Sequence, residues 1–397
     1  MSFYLSPAFF IMVLIAAIPA VILGVMGKSQ RNYGLVVSLI FIVALFSREP
    51  IGLAYFALFF AVSSLATWRT LVWFGRGDAH AVAKYRVALL LVLTPLLATK
   101  ISAVFDTNIL GFLGVSYLTF KAVQVLIEIR DGIIKEMKPL DYAYFLAFFP
   151  VFTTGPIMRS RDMVEQLSRP LEQGEYLDLL SRGILWFAWG ALYSFVFSPF
   201  VSWLQWFGPE AIGSSTLAMF AASQLVQALC YGLYLFFDFA GYSLMAMGVG
   251  SVFGIRVPRN FHAPFRAADI MDYWDRWHIT LSHWMRDYVF TRLVMTFLKH
   301  KTFPTRLSGA CVALVANMLV MGLWHGLTVG YLLYGLFQGL MLVLCEVRHK
   351  KSKLYKKHRK ETWYKVGVWA LTMVGVWTAF SLFSGQIPDL VMGVING

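Results

Sequence analysis

The chain has 397 residues, of which 58% are hydrophobic and only 14% charged, against about 45–50% and about 25% in soluble globular chains. The excess lies in apolar blocks of roughly 18 residues or more, which excludes a secreted domain, a cytosolic enzyme and a disordered regulator and marks a polytopic membrane protein. The net charge of +13 fits the basic loops that orient membrane helices, so nucleic acid is set aside.

Hydropathy predicts about ten to twelve membrane helices, near 5–27, 33–47, 50–67, 87–104, 109–128, 140–154, 177–200, 216–237, 239–254, 308–325, 328–346 and 366–385. The first run, Pro7 to Gly27, lacks a basic leader and is long enough to span, so no cleavable signal is expected. Lys28 and Arg31 follow it. Arg69, Arg76, Lys84 and Arg86 follow the third run, and Arg130, Lys135 and Lys138 the fifth. The positive-inside rule puts these loops in the cytoplasm and the N-terminus outside. Next comes Phe149-Pro150-Val151-Phe152-Thr153-Thr154-Gly155-Pro156, where two prolines and a glycine interrupt an apolar run. That pattern predicts a broken or re-entrant segment whose backbone is satisfied by protein or by a polar cavity.

Ionisable residues inside membrane runs are costly and default to functional candidates. Asp238 is one, in the stretch Tyr231 to Ser243 that is otherwise apolar and aromatic. From Ile255 to Arg306 the chain turns polar and is punctuated by Pro258, Pro264 and Pro304. Within it, Trp274, Trp277, Leu281, Trp284 and Tyr288 recur at spacings of three and four, predicting one amphipathic helix over 268–290. On such a helix His278 and His283 lie roughly 140° apart and cannot share one metal ion or substrate atom. His278 would share a face with Trp274, Asp275 and Ser282, where a carboxylate could orient its ring, and is the better site candidate. His325 closes the run that starts at Leu307, between Gly322 and Gly326, which predict open space beside the ring for close packing or for a substrate.

The segment Glu346 to Lys365 carries nine Lys/Arg against two Glu, so it reads as cytoplasmic and suited to anionic headgroups. Cys230, Cys311 and Cys345 are far apart with no CxxC spacing, so neither a disulfide framework nor a metal site is expected. No G-x-S-x-G elbow, Walker A loop, G-x-G-x-x-G or HExxH occurs. Histidine general-base chemistry in a membrane cavity is the most economical enzyme reading. A transporter is the reading from another class, although no internal repeat supports it.

Several motifs occur together. They are the FFDFAGYS stretch around Asp238, then Arg259-Asn260-Phe261-His262-Ala263-Pro264-Phe265, then W-x-R-W-H-I-T-L-S-x-W-x-R-D-Y from Trp274 to Tyr288, and finally Leu323-Trp324-His325-Gly326. In order, spacing and residue type this combination resembles the membrane-bound O-acyltransferase (MBOAT) family. Val115 to Lys121, Glu128-Ile129-Arg130-Asp131-Gly132, Phe149-Pro150 through Ile157, and Lys353-Leu354-Tyr355-Lys356-Lys357 are similar to its D-alanyl-transferring, DltB-like branch.

The resemblance implies an all-α polytopic membrane protein: a ring of about 11 transmembrane helices around a thin centre with a tunnel, plus re-entrant and interfacial helices. It implies one integral-membrane domain over 1–397 in the cytoplasmic membrane, with a catalytic core near 109–346 and the basic segment near 346–365. A DltC-like acyl carrier protein would dock on the cytoplasmic side and present D-alanine as a thioester on phosphopantetheine, with no cofactor held tightly by this chain. The acyl group would pass to a hydroxyl of a cell-envelope polymer, teichoic acid or similar. His325 matches the invariant family histidine, the expected general base, and His278 the second one. Asp238, Trp324, Ser282 and Trp274 would line the tunnel or position substrate. Membrane lipids, a small membrane partner and other envelope enzymes are the further company implied. Carrier proteins are acidic, which makes Arg292, Met295, Lys299 and Arg306 candidates for the docking face. An alginate-type O-acetyl exporter shares the histidine motifs and is the alternative acyl-transfer reading.

Overall fold

A computed structural model describes residues 6–388 and 390, and among them every regular element is helical. Among the described residues eight helices are long and apolar enough to cross a bilayer: Pro7–Val25, Pro50–Gly75, Ala81–Phe105, Gln173–Ile212, Leu217–Val252, Arg306–His325, Val329–Lys351 and Thr362–Phe383. Two physical facts account for the difference from the ten to twelve runs expected. The runs near 216–237 and 239–254 form one continuous helix, Leu217–Val252, because a carboxylate at Asp238 removes no backbone hydrogen bond. The runs near 33–47, 109–128 and 140–154 fold into shorter helices, of 15, 16 and 9 residues. The chain divides into two compact units, residues 1–190 with 242–259, and residues 191–241 with 260–397.

The first unit contains α1 (Pro7–Val25), α2 (Arg31–Leu45), α3 (Pro50–Gly75), α4 (Ala81–Ser102), α5 (Val115–Arg130), α6 (Pro139–Ala147), α7 (Ser160–Ser168) and most of α8 (Gln173–Leu192). Prolines open α1, α3 and α6, where the missing N–H is one the helix would leave unpaired anyway. Helix α5 is buried almost all round, so its polar residues need internal partners. They occur at i, i+4, i+7 and i+11, on one stripe, and that stripe holds the interrupted segment. The Tyr117 hydroxyl reaches Thr154 and Gly155, the Lys121 ammonium donates to the Phe145 carbonyl at 3.2 Å, Gln124 donates to the Met158 carbonyl at 2.9 Å, and Glu128 pairs with Arg161 at 3.3 Å. After α6 the chain makes a single tight turn at Phe149–Val151 and no further regular structure until Ser160. The expected break is therefore present, and protein groups satisfy its backbone: Tyr117 at Gly155, the Ser38 hydroxyl at the Phe149 N–H and the Tyr242 hydroxyl at the Pro150 carbonyl. Gln124→Leu removes one rung. The variant is expected to lose about 1–3 kcal/mol, seen as a lower thermal midpoint in detergent, with Gln124→Glu recovering less than wild type.

The second unit contains α9 (Ser198–Ile212), the first part of α10 (Leu217–Val252), α11 (Ile270–Trp274), α12 (Ile279–Met285), α13 (Thr291–Lys299), α14 (Arg306–His325), α15 (Val329–Lys351), α16 (Lys353–His358) and α17 (Thr362–Phe383). Helices α14 and α15 form an antiparallel hairpin joined at Gly326-Leu327-Thr328. Thr305 and Ser308 cap the start of α14 reciprocally, and Thr328 caps α15. Of the two uses expected for Gly322 and Gly326, the structure shows close packing. A Cβ at Gly322 would lie 2.4 Å from the Tyr331 carbonyl oxygen, and one at Gly326 would lie 2.7 Å from the Tyr331 ring. These glycines are sites of helix–helix contact, and Tyr331 takes up the space beside His325.

Candidate active site

The single amphipathic helix expected over 268–290 is broken in two. Helix α11 ends at Trp274, His278 sits at φ 43°, ψ 50° as the N-cap of α12, and a π-turn at Arg286–Phe290 follows. A left-handed conformation is uncommon for any residue but glycine and costs roughly 1–2 kcal/mol. The shared-face argument for His278, Asp275 and Ser282 fails with the helix, because the axis changes between them. Asp275 turns to His283 and Arg286, each at 3.8 Å. The Ser282 hydroxyl donates to the Trp277 carbonyl at 3.1 Å, stitching the break.

The group that orients His278 is Asn260, which charge and periodicity did not single out although it lies in the R-N-F-H-A-P-F motif. Asn260 is fully buried and His278 is 6% exposed. The Asn260 Oδ1 accepts from the Thr280 N–H at 3.2 Å and from the Thr280 hydroxyl at 2.7 Å. Its carbonyl accepts the Ile279 N–H at 2.9 Å. A backbone N–H can only donate, so the atom facing it is the amide oxygen. His278 Nδ1, 3.2 Å from the same Oδ1, must then carry the proton, and the imidazole lone pair sits on Nε2. Burial, with a smaller push from His325, lowers the His278 imidazole to about 3, so it is neutral at working pH. Its ring meets Phe239 edge-on at 4.6 Å. Asp238, half-buried, is the residue before that phenylalanine on α10. The contact that reaches His278 from α10 is thus the Phe239 ring.

His325 is the last residue of α14 and is half-buried. Four aromatic rings surround it, at centroid distances of 4.5 Å for Trp324, 4.8 Å for Phe383, 5.9 Å for Tyr331 and 6.1 Å for Tyr334. Tyr334 and Phe383 in turn belong to the α15–α17 core with Ala379 and Leu382. A ring packed this way is fixed in direction, which is what proton transfer at one nitrogen requires. Trp274 is 8% exposed, and its indole N–H donates to the Gln338 side chain at 3.3 Å.

The remaining candidates lie on α13 and at the start of α14. Arg292, Met295 and Lys299 fall on one helix face, at i, i+3 and i+7. Met295 and Leu298 are 64% and 45% exposed, and Arg306 is exposed too. Among the described residues one cluster has metal-ligand chemistry, Asp269, Cys345 and His349. The Arg348 guanidinium stands in its middle, 2.9 Å from Asp269 Oδ2 and 3.1 Å from His349 Nε2. It supplies the positive charge a cation would bring.

The sequence model of the membrane-bound O-acyltransferase family matches residues 56–385. The chain belongs to the membrane-bound O-acyltransferase family. Membership makes it an O-acyltransferase with a multi-pass membrane fold and removes the non-catalytic transporter reading. The chain is 34% identical to the teichoic acid D-alanyltransferase of Bacillus subtilis, over 97% of this chain and 98% of that one. It is also 34% identical to the teichoic acid D-alanyltransferase of Streptococcus thermophilus, over 98% and 96%. A probable alginate O-acetylase of Pseudomonas syringae is 30% identical over 70% of this chain and 50% of its own length. In this family member the two expected histidines lie in one unit, each held by its own shell, His325 by aromatic rings and His278 by Asn260.

Proposed function

We propose that this O-acyltransferase moves D-alanine from a phosphopantetheine thioester on an acyl carrier protein to a hydroxyl of teichoic acid. The observation that carries the reading is the near end-to-end likeness to two teichoic acid D-alanyltransferases, where the alginate-type relative aligns over only half its length. His325 serves as general base. Its ring nitrogen takes the proton of the acceptor hydroxyl as that oxygen attacks the thioester carbonyl. The C–S bond then breaks, and the imidazolium returns the proton to the leaving thiolate. The thioester is already activated, so alignment, proton removal and exclusion of water are the work left to the protein. His278, neutral and with its lone pair on Nε2, positions a donor group near the reacting atoms. Asp238, Trp324, Ser282 and Trp274 line the way to them.

On this reading residues 109–346 are the catalytic core of a single cytoplasmic-membrane protein. Its basic loops and the 346–365 segment face the cytoplasm, and its N-terminus faces out. The acidic carrier meets the α13 face, where exposed Met295 and Leu298 lie among Arg292, Lys299 and Arg306. Mass spectrometry of envelope polymers from cells with and without the protein tests the reading. The expected result is loss of D-alanyl esters. Loss of acetate with D-alanine unchanged would overturn it in favour of an alginate-type O-acetyl transfer.

A further inference from the structure

Helices α15 and α17 leave a groove of about 270 Å³ between them, with Asp269 and Ile270 at the start of α11 completing the lining. Met341, Leu344, Cys345 and Arg348 line it from α15 at i, i+3, i+4 and i+7. From α17 come Val368, Leu371 and Thr372, at i, i+3 and i+4. Leu344 and Leu371 on the rim are 70% and 73% exposed. Both belong to helices apolar enough to cross a bilayer, so lipid chains meet this rim. From Met341 to Arg348 the groove runs about 10 Å along the axis, at about 1.5 Å per residue. Its α15 wall is apolar until the guanidinium.

Arg348 is built into that end. Its Nη2 donates to Asp269 Oδ2 at 2.9 Å, and its guanidinium carbon lies 5.6 Å from the centre of the Tyr355 ring. These two contacts fix its direction. The Nε–H is buried and has no acceptor among the described residues. A buried donor left without an acceptor costs about 1–3 kcal/mol, and more when the group is charged. Beyond it the chain continues through Lys350, Lys351 and Lys353, in the segment that carries nine Lys/Arg against two Glu. Lys351 and Lys353 are exposed. One end of the groove is a hydrocarbon slot, and the other calls for an anion with oxygen acceptors.

We infer that the groove holds one anionic phospholipid of the leaflet that the 346–365 segment faces, with an acyl chain between α15 and α17 and a phosphate oxygen accepting from Arg348 Nε. Guanidinium and phosphate match in geometry as well as charge, and each Lys/Arg near an anionic surface adds about 1 kcal/mol. A zwitterionic headgroup would bring its own cation against Lys351 and Lys353. A second copy of this chain, whose net charge is +13, would bring like charge to the same place. The bound lipid also bears on the site, whatever acyl group is transferred. Asp269, which shares Arg348, caps α11 by accepting the Met271 and Asp272 N–H groups, and α11 leads into the break at His278. A phosphate that holds Arg348 from the other side steadies that cap.

The full-length protein in detergent, stripped of lipid, provides the test. Native mass spectrometry and the thermal midpoint are read with three probes: dioleoyl phosphatidylglycerol, dioleoyl phosphatidylcholine, and glycerol phosphate without chains. The wild type is expected to retain one phosphatidylglycerol about 10-fold more strongly than phosphatidylcholine, with a higher midpoint, and to ignore glycerol phosphate. In Arg348→Gln that preference falls to near one, and Arg348→Lys keeps part of it. Val368→Trp, which fills the groove, loses the bound lipid of either kind. Lys356→Gln combined with Lys357→Gln, outside the groove, leaves the preference in place. Equal retention of the two lipids by the wild type, or a preference kept by Arg348→Gln, overturns the site. A preference lost in the two-lysine variant overturns it in favour of diffuse charge. Glycerol phosphate bound as well as phosphatidylglycerol overturns the lipid in favour of a free phosphate. A dimer that persists without lipid and takes none up overturns it in favour of a second copy. Should Arg348→Gln fail to fold, a phosphatidylglycerol preference retained by Val368→Trp still overturns the assignment.

Discussion

His325→Ala is expected to lower acyl transfer by about 10²- to 10⁴-fold, the usual contribution of a positioned general base, while the protein stays folded. The ring is half-buried at the end of α14, and of the rings around it Tyr331 and Tyr334 also pack on Phe383. Removing the imidazole therefore leaves a shallow gap and keeps the hairpin, whose contact depends on Gly322 and Tyr331. Transfer of D-alanine from loaded carrier is measured in liposomes, beside the thermal midpoint of the same preparation. A variant with wild-type midpoint and wild-type turnover would sink the general-base role. His278→Ala should cost less, because a neutral, weakly basic ring positions a group and does not carry the transferred proton.

Much of this arrangement can be read in the chain itself, and the parts that cannot share one cause. Hydropathy suffices for the membrane class, and the rarity of charge within it points to Asp238, His278 and His325. The broken segment at 149–156 follows from two prolines and a glycine, since each constrains its own backbone. By contrast, the break at His278 has no proline or glycine to announce it. The Trp274, Trp277, Leu281 and Trp284 spacing continues across it, and a period of 3.6 cannot reveal that the axis has turned. What makes the break is a distant residue, Asn260, whose carbonyl and side chain take the N–H groups of Ile279 and Thr280. Gly322 and Gly326 carry the same lesson. A missing side chain is visible in the sequence, but whether the gap stays open depends on Tyr331, which arrives from the next helix. Local constraints are legible residue by residue; partners brought by the fold are not.

Asn260 is where such a partner has the largest consequence. In Asn260→Ala, three donors lose their common acceptor: the Thr280 N–H, the Thr280 hydroxyl and His278 Nδ1. Each loss costs about 1–3 kcal/mol in a buried site, so a clear drop in thermal midpoint is expected along with about 10²-fold lower turnover. Stability loss alone would also depress activity, and Asn260→Asp separates the two effects. An aspartate keeps an acceptor oxygen for Thr280, so the local fold is largely retained. It also places a carboxylate where the amide oxygen now lies 3.2 Å from His278 Nδ1. An opposite charge at that distance favours the imidazolium and raises the histidine from its present value of about 3. Once protonated, Nε2 donates where the wild-type atom accepts. The sign follows directly. Below the raised value the variant loses turnover, and above it turnover returns as the proton leaves. In the wild type His278 is already neutral and adds no limb of its own between about pH 5 and pH 8, so the variant's loss lies on top of the acid limb that the general base gives to both proteins. Turnover against pH in liposomes, for wild type and Asn260→Asp side by side, reads this out. Superimposable profiles would mean that the His278 lone pair takes no part, and that Asn260 serves only to break the helix.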